Sequence, residues 1–323
     1  VIALRDRLEK LYHKNGSDQV GIMVLADLKE ADRPETEEDE AMAAACAKMI
    51  QSLNARYGEH FYLLCRRRTF SKTQGKYCGY ERKRGAITDM IRYMKGEEIA
   101  LLAFEGDYQR LKQTQFLIAL DADTELPMRN ARSLMAIALH PLHRPQIDSA
   151  RGIVTDGYGI IAPRVDLSLD SFKSTIFTRI FGGVGGSPAY ELCSAELYQD
   201  LFFEGIFAGK GLLDVDAFYE LLTEAFPEGR VLSHDILESG YLRCAYASDI
   251  AVSDGMPATL DGWYARLHRW IRGDVQNLYW LFGRVKTADG KRKNPLPFLS
   301  RYKLYDNLRR VWTPVLSLLS ILL

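Results

Sequence analysis

Three short apolar runs, each closing on a charged residue, constrain the fold of this chain more than any other feature. VGIMVLA (residues 20–26) ends at Asp27, HFYLLC (60–65) at Arg66, and QFLIAL (115–120) at Asp121. Runs of this length without polar alternation are the pattern of strands buried on both faces. Helical stretches separate them: an Ala-rich one over 36–57 closed by Gly58, and another from about Glu81 to Lys95. Pro127 then starts a helix reaching His140, and residues 159–162 read as a further strand. Strand and helix in alternation predict an α/β fold, a mostly parallel central sheet with flanking crossover helices. Ligands of such sheets bind at the carboxyl ends of the strands. Asp27, Arg66 and Asp121 are therefore expected along one rim.

The second half lacks that alternation. It holds a Gly-rich string, FGGVGGSP (181–188), and helical candidates at 215–225, 235–246 and 260–282. The expectation is a single domain over 1–310, with a sheet-bearing half at 20–165 and a more helical half at 166–310. Residues 311–323 carry no charge and follow Arg301, Lys303, Arg309 and Arg310. They are too short for a bilayer, which takes about 20 apolar residues. With that basic flank they are expected to be a truncated transmembrane or interfacial segment, the alternative being a buried C-terminal helix. Val1 is not a methionine, which points to a piece of a longer chain.

Charge and cysteine usage exclude some classes. The 42 basic and 42 acidic residues leave a formal net charge of zero, which argues against nucleic acid as a partner. The charges are unevenly placed, with an acidic run over 30–40 and a basic run over 66–84. Five widely spaced cysteines without a CxxC pair argue against a zinc site or a disulfide framework and suit a reducing compartment.

Asp121-Ala-Asp123 carries the strongest chemical signal. Two carboxylates two residues apart, straight after a buried strand, offer hard oxygen donors for Mg²⁺ or Mn²⁺, shared with phosphate oxygens. From the residues alone, two other readings stay open. One is a turn with two solvated aspartates. The other is the nucleophile motif of haloacid-dehalogenase-type phosphatases, which carry it on their first strand; here two expected strands precede it, and Ser253-Asp254-Gly255 matches their later acidic pair poorly.

Two further strings follow. Ser233-His234-Asp235 places a carboxylate at a helix start, where it can serve as a general base or as an ordinary N-cap. In Arg266-Leu-His-Arg269-Trp270-Ile-Arg-Gly-Asp274, positions 266, 269, 270 and 273 share a helical face. Arginine can hold diphosphate oxygens, and an indole offers a plate on which a sugar ring can stack. A packed amphipathic helix with surface arginines is the plain alternative.

Taken in order, these three strings and the apolar end resemble processive membrane glycosyltransferases of the cellulose-synthase type, whose pattern is DxD, Thr-Glu-Asp and Gln-x-x-Arg-Trp. Asp121 and Asp123 match the first, Asp235 the base position, and Arg269-Trp270 the last. Ser-His replaces Thr-Glu, and Arg266 replaces Gln. Those departures, with Gly79-Tyr-Glu-Arg-Lys-Arg-Gly-Ala86, Phe181-Gly-Gly-Val-Gly-Gly186 and Ala208-Gly-Lys-Gly211, resemble the cyclic β-1,2-glucan synthases over about residues 20–310.

The resemblance implies a GT-A type nucleotide-sugar-binding fold in a bacterial inner-membrane protein, with this domain on the cytoplasmic side and held to the membrane by flanking helices. It implies an inverting transfer from UDP-glucose to a β-1,2-glucan acceptor, with Mg²⁺ or Mn²⁺ on Asp121 and Asp123 and Asp235 as the base. Asp27 would contact the uracil or ribose, and Arg82, Lys83 and Arg84 would lie near the phosphates. Arg266 and Arg269 would hold the nucleotide-sugar, while His234 and Trp270 would face the acceptor. Tyr190, after the Gly-rich loop, would be a site of self-glucosylation. Many relatives carry an Asp after the second strand where this chain has Cys65-Arg66-Arg67-Arg68, which leaves open what takes over its contact. A catalytically inactive sugar-nucleotide-binding scaffold is the other implied reading.

Overall fold

A computed structural model describes residues 2–72, 74–182, 196–227, 229–231, 233–287 and 290–323. Tyr190 lies outside the described residues. Contacts divide the chain into two units, Val1–Gln115 with Leu126–Arg132, and Phe116–Glu125 with Ser133–Leu323. The division falls at the third apolar run, upstream of residue 165.

Unit one comprises α1 (Ile2–Asn15), β1 (Ile22–Asp27), α2 (Glu37–Tyr57), β2 (Phe61–Arg66), β3 (Thr69–Ser71), β4 (Lys76–Cys78), α3 (Arg82–Met94), β5 (Leu101–Glu105) and α4 (Tyr108–Leu111). The first two apolar runs pair in parallel from Ile22↔Phe61 to Asp27↔Arg66. A parallel pair needs a long crossover, and α2 supplies it. Its start is fixed by Asp39, whose carboxylate accepts the Thr36 amide at 2.8 Å. Its inner face sends Met49, Ile50 and Leu53 against Ile22, Phe61 and Leu63. β5 then adds antiparallel to β2.

Unit two comprises β6 (Phe116–Ala119), α5 (Asn130–Ala138), β7 (Gln146–Asp148), β8 (Ile153–Asp156), β9 (Ile160–Leu167), α6 (Leu169–Lys173), α7 (Ile176–Phe181), α8 (Leu197–Phe202), β10 (Gly211–Asp214), α9 (Val215–Leu222), α10 (Asp235–Leu242), β11 (Cys244–Asp254), α11 (Leu260–Gln276), β12 (Arg284–Thr287), β13 (Gly290–Lys293), α12 (Phe298–Asn307) and α13 (Arg309–Leu322). Its main sheet has the order β11-β9-β10-β6. β11 runs parallel to β9, whereas β10 runs antiparallel to both of its neighbours.

The architecture is mixed α/β, with several small sheets in place of the mostly parallel central sheet expected from the alternation. Two short strands, β5 and β10, make the difference: each pairs antiparallel beside a buried run. The helix expected over 235–246 also stops early. Arg243 takes a left-handed φ of 55°, and the chain then enters β11.

No helix among the described residues is long and apolar enough to cross a membrane. α13 buries none of its residues and contains Pro314, so the apolar C-terminal segment is a short exposed helix, not a buried one. Three of the four basic residues before it are engaged within unit two. Lys303 is buried against Glu204 (3.3 Å), Arg309 pairs with Asp306 (2.6 Å) and Arg310 with Asp274 (2.5 Å).

Candidate active site

In unit one the site residues gather around Arg66, the last residue of β2. Its Nε and one terminal nitrogen donate to the two oxygens of Asp27, both at 2.7 Å. The other terminal nitrogen donates to Asp89 Oδ2 at 2.7 Å and to the Tyr80 carbonyl at 2.9 Å. The register places Asp27 and Arg66 side by side at the ends of parallel strands, so the geometry follows directly from the pairing. Burial works against the guanidinium charge, yet the hydrogen bonds and charges of Asp27 and Asp89 outweigh it and hold Arg66 above its ordinary pKa. Asp27 stays 29% exposed at its side chain while Arg66 is 2% exposed, so the carboxylate faces outward on a fixed support. Gly79 makes room for it: a Cβ there would lie 2.4 Å from Asp27 Cγ.

Three ion pairs join the acidic run to the basic one. Glu30 pairs with Arg82 at 3.1 Å, Glu35 with Arg67, and Asp39 with Arg68. Of the basic residues expected near phosphates, Arg82 is exposed and Lys83 half-buried. Arg84 is buried and pairs with Glu81 at 2.9 Å. Burial pushes the Cys65 thiol up to about 11 and Cys244 to about 12, which makes both poor nucleophiles at neutral pH.

In unit two the site forms at one edge of the four-stranded sheet. Because β10 runs against β6 with Gly211 opposite Ala119, Lys210 sits beside the carboxyl end of β6. Because β11 runs with β9 to the pair Asp254↔Leu167, Asp254 closes at that same edge. Lys210 Nζ lies 3.2 Å from Asp121 Oδ2 and 3.1 Å from Asp254 Oδ2. Thr124 donates its hydroxyl to the other Asp254 oxygen at 2.9 Å. Glu125 and Ser253 exchange backbone hydrogen bonds of 2.7 and 2.9 Å. The Asp121–Glu125 turn is thereby pinned to the end of β11.

Glycines set the clearances. Gly209 and Gly211 have φ of 80° and 142°, a region that L side chains rarely adopt, so the Gly-Lys-Gly string suits the turn that presents Lys210. A Cβ on Gly209 would lie 2.9 Å from Asp235 Oδ1, and one on Gly255 would lie 3.2 Å from Asp123 Oδ2. Asp235 and Asp123 therefore each border a backbone segment of this edge. Arg266 joins them, donating to the Gly255 carbonyl at 3.3 and 3.4 Å.

Asp235 is the first residue of α10. Its neighbour His234 points Nδ1 at two carboxylates, 3.2 Å from Asp235 Oδ1 and 3.0 Å from the buried Glu238 Oε1. These three side chains could also hold a metal ion between them. Trp270 is half-buried, with the Arg266 and Arg310 guanidinium carbons 5.9 and 5.5 Å from its ring centre. Arg269 is exposed and makes no hydrogen bond or ion pair among the described residues.

The structure thus brings Asp121, Asp123, Asp235 and Arg266 to one edge, and Arg269 follows Arg266 by three residues on the same helix. Sequence reasoning passed over Lys210 and Asp254 as site residues. Asp254 closes a strand just as Asp27 and Asp121 do, but no uninterrupted apolar run precedes it. Asp121 and Asp123 offer carboxylate oxygens of the kind a divalent cation takes, and Gly255 leaves space beside Asp123, where a Cβ would lie 3.2 Å from Oδ2.

By fold, this is a mixed α/β protein with acidic side chains gathered at the carboxyl ends of strands. Comparison with known proteins narrows the class. No family profile matches the chain. It is 34% identical over 98% of its length to the cyclic beta-(1,2)-glucan synthase NdvB of Rhizobium meliloti (strain 1021), of which it spans 11%. At that identity over nearly its whole length, the chain is homologous to a segment of a cyclic β-1,2-glucan synthase.

Proposed function

We propose that the chain is the polymerising glucosyltransferase module of a cyclic β-1,2-glucan synthase. It moves glucose from UDP-glucose to the 2-hydroxyl of a growing β-1,2-glucan, with inversion at C1. The observation that carries this reading is the edge of the four-stranded sheet, where Asp121, Asp123, Lys210 and Asp254 meet beside Asp235 and Arg266. We place the protein in a bacterial inner membrane with this module on the cytoplasmic side.

Asp27 accepts a hydrogen bond from the uracil or ribose of the donor, with its orientation set by Arg66. Asp121 and Asp123 hold Mg²⁺ or Mn²⁺, which when bound neutralises charge on the diphosphate leaving group. Lys83, Arg266 and Arg269 add positive charge for the phosphates, and Arg84 supports that loop through its pair with Glu81. Asp235 takes the proton of the acceptor 2-hydroxyl. That oxygen forms the new bond to C1 as the C1–O bond to the diphosphate breaks and UDP leaves. His234 holds the Asp235 carboxylate from one side, and Trp270 supports the acceptor sugar. Tyr190 is a candidate for the first glucosylation.

Incubating the purified chain with UDP-glucose and Mn²⁺ tests this. UDP release and β-1,2-linked product are expected. Asp235→Asn should abolish both while keeping UDP binding, and Asp123→Ala should abolish metal-dependent UDP binding. UDP release that survives Asp235→Asn removes Asp235 from the base role. Binding without turnover points to an inactive scaffold, and phosphate release from a simple phosphomonoester points to a phosphatase.

A further inference from the structure

We propose that Lys210 is a resident counter-cation of the Asp121 site, and that it makes divalent metal binding there conditional on the nucleotide. The inference rests on the reading of Asp121 and Asp123 as a metal and diphosphate site, and deepens it.

Lysine is seldom buried unless it is paired. Lys210 keeps only 9% of its side chain exposed, and its ammonium is shared between Asp121 and Asp254. Its position is fixed from the backbone outward. Glycines flank it on both sides, and the following residue is locked into β10 between β9 and β6. A Cβ on Gly211 would come within 2.4 Å of the Ile161 carbonyl oxygen, which leaves that strand little freedom to shift. Asp254 is held in turn by the Thr124 hydroxyl. The cation is therefore built into the acidic edge, bound to the carboxylate that begins the Asp-x-Asp pair.

That placement has an electrostatic consequence. A divalent ion arriving alone must share Asp121 with an ammonium and meets like charge at close range. A nucleoside diphosphate reverses the balance. Its negative charge offers the ammonium another partner and screens it from the metal. Metal and nucleotide then each favour the other's binding, by the same factor in both directions. Asp254 gives Lys210 a second carboxylate partner at the same edge, so the ammonium can turn from Asp121 while still paired. A purely structural lysine, holding β10 to its neighbours, predicts the opposite sign: its loss would disorder the carboxylates and weaken the metal.

The test is Mn²⁺ binding followed by the electron paramagnetic resonance signal of the free ion, with and without UDP. In the unsubstituted chain, saturating UDP is expected to tighten Mn²⁺ binding by about tenfold or more, within the usual range of coupling between sites. Lys210→Met should tighten binding of Mn²⁺ alone by about tenfold and shrink the enhancement by UDP by a like factor, leaving the part that comes from direct attraction between metal and diphosphate. Lys210→Arg, which keeps the charge, should preserve the coupling. Asp254→Asn keeps the lysine and works in the other direction: with its second carboxylate partner gone the ammonium is committed to Asp121, Mn²⁺ alone binds more weakly and the UDP enhancement grows. This variant decides the matter if Lys210→Met does not fold. Unchanged or weaker binding of Mn²⁺ alone in a folded Lys210→Met chain, or unchanged binding in Asp254→Asn, overturns the inference and leaves the proposed function standing. Absence of any Mn²⁺–UDP binding in the unsubstituted chain overturns the functional reading and this inference with it.

Discussion

The Arg66 guanidinium grips the Asp27 carboxylate through two parallel hydrogen bonds, each 2.7 Å, at the adjoining ends of β1 and β2. One residue is almost wholly buried and the other is open to ligand, so the pair converts strand register into the aim of a carboxylate. Where many relatives carry an aspartate after the second strand an arginine stands here, and its side chain holds the aspartate that ends the neighbouring strand.

Arg66→Ala leaves Asp27 and Asp89 without this partner. Breaking a buried ion pair on one side costs about 3–5 kcal/mol, and the partly exposed Asp27 puts the expectation at the lower end. Arg66→Lys should recover only a fraction, because an ammonium cannot reproduce the two-pronged contact. The urea midpoint of each variant reads the effect, and UDP affinity should fall in both.

Gly79→Ala tests the clearance around the same carboxylate. A Cβ 2.4 Å from Asp27 Cγ forces that side chain aside, so UDP affinity should drop by about tenfold or more, the loss of roughly one good hydrogen bond. Gly75→Ala is the control. Its φ of 67° makes it mildly strained, but nothing lies within 4 Å. It should lower stability by about 1 kcal/mol and leave UDP binding unchanged. Calorimetric titration of both variants with UDP separates the two outcomes.

How much of this was legible in the sequence depended on how regular the local pattern is. Asp27 and Asp121 could be placed because uninterrupted apolar runs precede them. Asp254 could not, although it also ends a strand. β11 shifts register between Ala247 and Ala251, which breaks the alternation that would reveal it, and its first residues continue the apolar content of α10. Lys210 was hidden for another reason. A lysine between glycines reads as an exposed loop residue, and only the antiparallel return of β10 beside β6 brings it to Asp121. The charge runs were visible as runs, but their mutual pairing is a long-range contact that composition does not contain.

Asp39 gives unit one a defined acid limit. The Arg68 hydrogen bond, against the cost of burial and with help from Thr36, holds the Asp39 carboxyl well below the usual carboxylate range. A carboxylate depressed in the folded state stabilises it above its unfolded pKa, near 3.9, and loses that contribution as pH falls toward the folded value. The urea midpoint should therefore decline below about pH 4, and Asp39→Asn should flatten that decline while lowering the midpoint at neutral pH. An unchanged acid limb in Asp39→Asn would place the dependence elsewhere.

Arg310 ties the start of α13 to the helix bearing Trp270. It donates to both oxygens of Asp274, at 2.5 and 3.0 Å, and its guanidinium carbon lies 5.5 Å from the Trp270 ring centre. Asp274 is nearly fully buried, and burial raises its pKa despite Arg310 and Asn307. Arg310→Ala would leave that carboxylate with the Asn307 amide at 2.7 Å as its remaining side-chain hydrogen bond among the described residues, at a cost of about 3 kcal/mol. Arg310→Ala combined with Asp274→Asn should recover much of the loss, since no unpaired charge remains buried. If Trp270 supports the acceptor sugar, the double variant should still raise KM for the glucan, because the indole has lost a cation beside its ring, while KM for UDP-glucose stays near its original value. Urea unfolding and the two KM values measure these outcomes separately; equal changes in both KM values would mean that Trp270 does not distinguish acceptor from donor.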